Sequence, residues 1–128
     1  MIVTWSSFEQ THKHRVPEDE IMPLIYHLIR TSPEPPAMVE VYDEEVGTSF
    51  AIGIGRAETV VTYQDSLDPP YFISAGDSGR EGTVAFCYGE ETSEYMASNV
   101  ISLESGLAAL REFLSSKRRP VVIGWERL

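Results

Sequence analysis

Cysteine, histidine and positive charge are all scarce in this sequence. It has one cysteine, Cys87, and three histidines. One thiol cannot close an internal disulfide or build a cysteine-rich zinc site, and such cysteine usage fits a reducing cytoplasm, where the protein is expected to reside. Ten Lys and Arg stand against twenty Asp and Glu, a formal charge of −10. A chain this acidic repels phosphate backbones, so direct nucleic-acid binding is not expected. Long apolar runs are missing as well. No stretch approaches the ~20 residues a membrane span needs, so no membrane role is expected. The first residues, Met1 to Trp5, lack a basic region followed by a long apolar run, and no secretory signal is expected there.

The chain has 128 residues, of which 42% are apolar and 23% charged, the proportions of a globular domain. That length suits one domain, residues 1–128, and leaves no room for two. No internal repeat or low-complexity segment is present. The charge is uneven. Residues 34–104 carry fourteen carboxylates against Arg56 and Arg80, a net of −12, whereas residues 105–128 carry +3. Such asymmetry suggests a negative face that would attract a basic partner and speed encounter.

Residues 2–8 are rich in β-branched and aromatic side chains and read as a strand. Ile21, Leu24, Ile25, Leu28 and Ile29 follow the i, i+3, i+4, i+7, i+8 spacing of an amphipathic helix. Asp19 is the expected N-cap, with Pro23 in or beside the first turn. The prolines at 33, 35 and 36 end the helix and force an extended connection. Strands are then expected at 38–42, 49–54, 59–63, 71–74 and 83–88, with a short one at 94–97, each bounded by Gly, Asp or Pro. Ser102 caps a second helix whose apolar face is Leu103, Leu107, Leu110 and Leu114. Lys117, Arg118 and Arg119 close it beside the negative end of the helix dipole, Pro120 stops it, and 121–125 is the final strand. The order is β-α-β(5–6)-α-β. It implies an α+β domain with two helices on one face of a mainly antiparallel sheet of about 6–8 strands.

The signs of catalysis are weak. Gly53 and Gly55 form a lone G-x-G leading into a strand, not a nucleotide loop, which would need a third glycine and a helix. His12 and His14 lack a third ligand and read as a solvated basic loop. His27 lies at the edge of a helix stripe. Cys87 sits in an apolar strand with no nearby base and behaves as a small hydrophobe. No serine occupies a G-x-S-x-G elbow, and the acids lie in turns, where solvation leaves them untuned for acid–base chemistry. No enzyme, cofactor or metal site is expected. What stands out is tyrosine interleaved with acid. Tyrosine anchors protein interfaces, and carboxylates steer basic partners. The candidate binding residues are Asp43, Glu44, Glu45, Asp65, Asp68, Tyr71, Asp77, Glu90, Glu91, Glu94 and Tyr95. Trp125 and Leu110 are expected in the core.

Asp68-Pro-Pro-Tyr-Phe-Ile-Ser-Ala-Gly-Asp77, Gly82-Thr-Val-Ala-Phe-Cys-Tyr-Gly89, Ala109-Leu-Arg-Glu-Phe-Leu114 and Arg119-Pro-Val-Val-Ile-Gly-Trp-Glu126 resemble the first-numbered family of bacterial polymorphic-toxin immunity proteins. The resemblance covers residues 48–128; the first 35 match in element order alone. It implies a non-catalytic α+β protein, encoded beside a toxin gene, that binds its cognate toxin domain in a 1:1 complex. It further implies that the toxin belongs to the nucleic-acid deaminases, at least one of which acts on double-stranded DNA. An acidic inhibitor suits the basic cleft of such an enzyme. The alternatives are an adaptor for another basic protein and a small carboxylate-dependent hydrolase.

Overall fold

The computed structural model of the chain describes residues 1–6, 10–31 and 34–128. Within them the order is β1 (Ile2–Ser6), β2 (Thr11–Arg15), α1 (Glu18–Thr31), β3 (Ala37–Asp43), β4 (Thr48–Ile54), β5 (Glu58–Thr59), β6 (Val61–Gln64), β7 (Tyr71–Ser74), β8 (Thr83–Tyr88), β9 (Glu91–Met96), β10 (Ile101–Ser102), α2 (Leu103–Ser116) and β11 (Trp125–Arg127), with a 3₁₀ turn at Ala97–Asn99. Ser7 and Phe8, expected in the first strand, lie outside the described residues.

The main sheet runs β11-β7-β6-β4-β3-β1-β2. Its pairings along this path are antiparallel. Strand β3 branches. Its C-terminal half pairs β1, with Glu40, Val41 and Tyr42 opposite Thr4, Val3 and Ile2. Its N-terminal end meets β8 in parallel, Ala37 opposite Cys87, and β8 carries β9 on its other side. A two-stranded ribbon, β5 with β10, leads into α2. The α+β class, the mainly antiparallel sheet and the two helices agree with the sequence reading.

Alternation along the strands divides the core into two layers. Val39 and Val41 of β3 and Phe50, Ile52 and Ile54 of β4 face the helices, where Ile21, Ile25 and Leu28 of α1 meet Leu110, Phe113 and Leu114 of α2. Met38 and Ala51 point to the opposite face and join Val60, Ile73, Phe86 and Val100 in a smaller cluster, with Val84 and Tyr95 against it. The β8–β9 hairpin is held to the sheet through this second cluster.

Five local expectations change. The short strand expected at 94–97 is β9, Glu91–Met96, and Ala97 belongs to the 3₁₀ turn. Helix α1 begins at Glu18, so Asp19 lies in the first turn rather than at the cap, and Pro23 falls inside the helix. The missing N–H at Pro23 forfeits one helical hydrogen bond, yet Ile21, Ile25 and Leu28 are buried on both sides of it and hold the helix together. Residues 11–15 form β2 rather than a solvated loop. His12 and His14 share one strand face, where His12 stacks on Trp5 at 5.0 Å and His14 lies tilted against it at 5.4 Å. The expected strand at 59–63 is split at Val60, because the Thr59 hydroxyl turns in to donate to Gly53 O at 2.8 Å and accept from Gly53 N at 3.0 Å. Residues 121–124 are not strand. The Glu112 carboxylate accepts the Val121 and Val122 N–H groups at 2.7 and 3.1 Å, and pairing with β7 starts only at Trp125. Leu110 is fully buried as expected. Trp125 is half-buried, packed against the main core with its indole N–H on Pro120 O at 2.7 Å.

Candidate functional site

Strand direction decides where the expected binding residues sit. The β3–β4 turn and the β6–β7 connection lie at the same end of the sheet, because β4 pairs with both β3 and β6. Asp43, Glu44, Glu45, Asp65, Asp68 and Tyr71 belong to this end. Asp77 and the β8–β9 hairpin, with Glu90, Glu91, Glu94 and Tyr95, belong to the side of the sheet where Cys87 reaches Ala37. The acids therefore form two groups rather than one continuous face.

The first group is largely engaged. Asp43 is 5% exposed, and its Oδ1 accepts the Glu45 and Val46 N–H groups at 2.9 and 3.3 Å. That arrangement shapes a turn ending at Gly47, whose φ of +86° suits glycine. Glu44 forms a two-pronged ion pair with Arg15, and this hydrogen bonding holds its carboxyl below the usual range. Asp65 accepts from the Tyr63 hydroxyl at 2.7 Å. Burial of Tyr63, together with that bond, pushes its phenol well above its ordinary value. Tyr71 donates to Leu67 O at 2.7 Å, which ties the β6–β7 loop to its own strand. Cations crowd the same end. Lys117 pairs with Glu18, and Arg119 lies 4.1 Å over the Phe72 ring. Glu45 and Asp68 remain exposed in this setting of mixed charge.

The second group is different. Among the described residues Glu90, Glu91 and Glu94 are exposed and form no ion pair. Glu81 precedes the same hairpin and is also exposed and unpaired. Gly89, at φ +63°, makes the tight turn that projects Glu90 and Glu91. Beneath them the hairpin packs on the sheet. Phe86, 1% exposed, lies against Gly53, and Tyr95 meets it edge-on at 6.2 Å. Arg56 sits 5.5 Å over the Phe86 ring and donates twice to Ala85 O, at 3.0 and 2.9 Å. Tyr88 donates to Glu40, and burial followed by this bond raises its phenol well above the ordinary value. Tyr95 is raised by burial as well. Asp77 accepts Gly79 N at 2.9 Å and shapes its own loop.

Sequence reasoning missed Glu40, Phe86 and Arg56 in this region. Arg56 and Arg80 are the only cations in residues 34–104, and both are consumed locally, Arg80 by Glu58 at 3.1 Å. Two lone cations in a strongly acidic segment were the available signal. The hairpin keeps its carboxylates unneutralised.

Cys87 is buried, with its thiol directed to Gly89 O at 3.2 Å. Among the described residues no group of three or more His, Cys, Asp or Glu is placed to hold a metal ion. No helix among them is long and apolar enough to cross a membrane.

The fold and surface thus define an α+β domain whose distinctive feature is an acidic hairpin packed on the sheet through Phe86, its glutamates without an ion pair among the described residues. The family model for Immunity protein Imm1 matches residues 12–127, almost the whole chain, and the protein belongs to that immunity family. No curated protein shows a significant match to the chain.

Proposed function

We propose that this immunity protein neutralises a toxin domain of the nucleic-acid deaminase type by laying an acidic surface over its basic substrate cleft. The proposed complex is 1:1 and forms in the cytoplasm, where such a toxin would act. One observation carries the reading: Glu90, Glu91 and Glu94 stand exposed and unpaired on a hairpin that Phe86 and Arg56 hold in place. Carboxylates left without an ion-pair partner present a field that phosphate-binding groups on a partner would complete. Glu45, Asp68 and Tyr71, at the mixed-charge end, are secondary candidates, and Asp43, Glu44, Asp65 and Asp77 contribute by shaping their loops. The chain itself performs no chemistry in this proposal; occlusion suffices.

The test is the triple variant Glu90→Lys, Glu91→Lys, Glu94→Lys against the toxin domain encoded beside this chain's gene. All three positions are exposed, so the fold and melting temperature should hold. Association should slow by about tenfold or more at low salt, and its salt dependence should flatten. Unchanged association kinetics in a folded triple variant would remove the hairpin from the interface.

A further inference from the structure

The hairpin that carries the unpaired acids also leaves a strand edge open. Among the described residues strand β9 pairs with β8 and with no other strand. Their register sets Tyr88 opposite Glu91, Phe86 opposite Ser93 and Val84 opposite Tyr95. Just beyond the ladder, Ala97 N donates to Gly82 O at 2.9 Å. In an antiparallel pair, hydrogen-bonded positions alternate with non-bonded ones. Counting back from Ala97, residues 95, 93 and 91 therefore turn their backbone groups toward β8. Thr92, Glu94 and Met96 turn theirs away from it, so three N–H groups and three carbonyls form an unclaimed ladder.

The same alternation sets the side-chain faces. Thr92, Glu94 and Met96 are exposed, whereas Ser93 and Tyr95 are partly buried. Met96 is 64% exposed, a large apolar side chain at the end of the edge. The other free edges suit a partner less well. Strand β2 carries Lys13 and Arg15 among its five residues, and β11 is three residues long. Lysine and arginine on an edge commonly discourage pairing.

We infer that β9 is a docking edge for an extended segment of the toxin, which adds to the sheet as a further antiparallel or parallel strand. This rests on the proposed toxin neutralisation and names the contact through which it acts. The occupant follows from charge. Glu90, Glu91 and Glu94 lie on or beside the edge with no cation among residues 89–96. A second copy of β9 would place carboxylate near carboxylate, which opposes pairing. A strand with Lys or Arg opposite Glu94 and an apolar side chain beside Met96 satisfies both the backbone and the side chains. Backbone pairing then supplies general affinity, and the flanking side chains supply selectivity for the cognate toxin.

Thr92→Pro tests the edge directly. Proline deletes the outward N–H and leaves the bonds to β8 intact, a placement that edge strands tolerate. Thr92→Val, which keeps the N–H, is the control. Each is measured for binding to a catalytically inactivated form of the toxin domain encoded beside this chain's gene. Affinity should fall about tenfold or more for Thr92→Pro and stay within about threefold for Thr92→Val, the scale of one interfacial hydrogen bond lost. In the wild-type complex the Thr92, Glu94 and Met96 amides should gain hydrogen-exchange protection. If Thr92→Pro fails to fold, that protection pattern decides. Wild-type affinity in folded Thr92→Pro, with those amides exchanging as in the free chain, overturns the edge while leaving toxin neutralisation standing. Protection of the same amides in the free chain that grows with concentration overturns the basic-strand occupant in favour of a second copy. No binding by the wild-type chain overturns both readings.

Discussion

Gly53→Ala should destabilise the protein although the backbone there suits alanine. A Cβ built at Gly53 falls 2.5, 2.6 and 2.9 Å from three carbons of the Phe86 ring. Ordinary carbon–carbon contact is about 3.5–4.0 Å, so the ring must retreat by about 1 Å. Its neighbours oppose that movement. Phe86 is 1% exposed, Tyr95 closes one side, and Arg56 lies over its ring. Overpacking of this kind costs about 1–3 kcal/mol, against which alanine recovers about 0.4–1 kcal/mol by restricting the unfolded chain. A net loss of about 1–2 kcal/mol lowers the melting temperature by roughly 3–10 °C in a domain of this size. Circular-dichroism melts on a double-mutant cycle isolate the cause. With Phe86→Leu the ring is gone, and Gly53→Ala should cost about 0.5 kcal/mol or less, a coupling of about 1–2 kcal/mol. An unmoved melting temperature for Gly53→Ala, or the same shift with and without Phe86, would refute the seating of the hairpin on this glycine. Because the hairpin carries Glu90, Glu91 and Glu94, its displacement should also weaken toxin binding.

Leu110→Ala should cost about 2–5 kcal/mol, since the side chain is fully buried between α2 and the sheet. Trp125→Ala should cost about 2–3 kcal/mol, less than a fully buried tryptophan, and chemical denaturation compares the two. Spectrophotometric titration should find Tyr63, Tyr88 and Tyr95 still protonated above the ordinary phenol value of about 10, because burial raises all three. A phenol raised in the folded state stabilises it fully below the unfolded value. That stability should fall as pH climbs past about 10 toward the folded values, and urea midpoints read across this range check the sign. Glu112→Ala should free the Val121 and Val122 amides to exchange and cost about 1 kcal/mol, because water can replace the carboxylate at these exposed positions.

Periodic elements were legible in the chain. Strands at 71–74 and 83–88 fall where expected, and Ser102 caps α2 by accepting Ser105 N at 3.1 Å. These depend on near neighbours: alternation, helical spacing, and a hydroxyl before an apolar run. Strand β2 was missed because Thr-His-Lys-His-Arg has no apolar alternation. Trp5 and pairing with β1 make it a strand. The break at Val60 was likewise invisible, since there a buried Thr59 hydroxyl bonds Gly53 beside the backbone bond from Gly53 N to Val60 O.

The sequence by itself determined the acidic balance, the concentration of acid in residues 34–104, the helix faces and the motifs of the immunity family. Only the tertiary structure decided which acids stay free. Arg15 reaches Glu44 across 29 positions, Lys117 reaches Glu18 across 99, and Glu112 is taken by a backbone turn. Glu90, Glu91 and Glu94 form no ion pair among the described residues, because Arg56, the cation packed on their hairpin, is taken by Ala85 O and the Phe86 ring. Propensity and spacing act within a few residues, whereas neutralisation depends on what the sheet register places within a few ångströms.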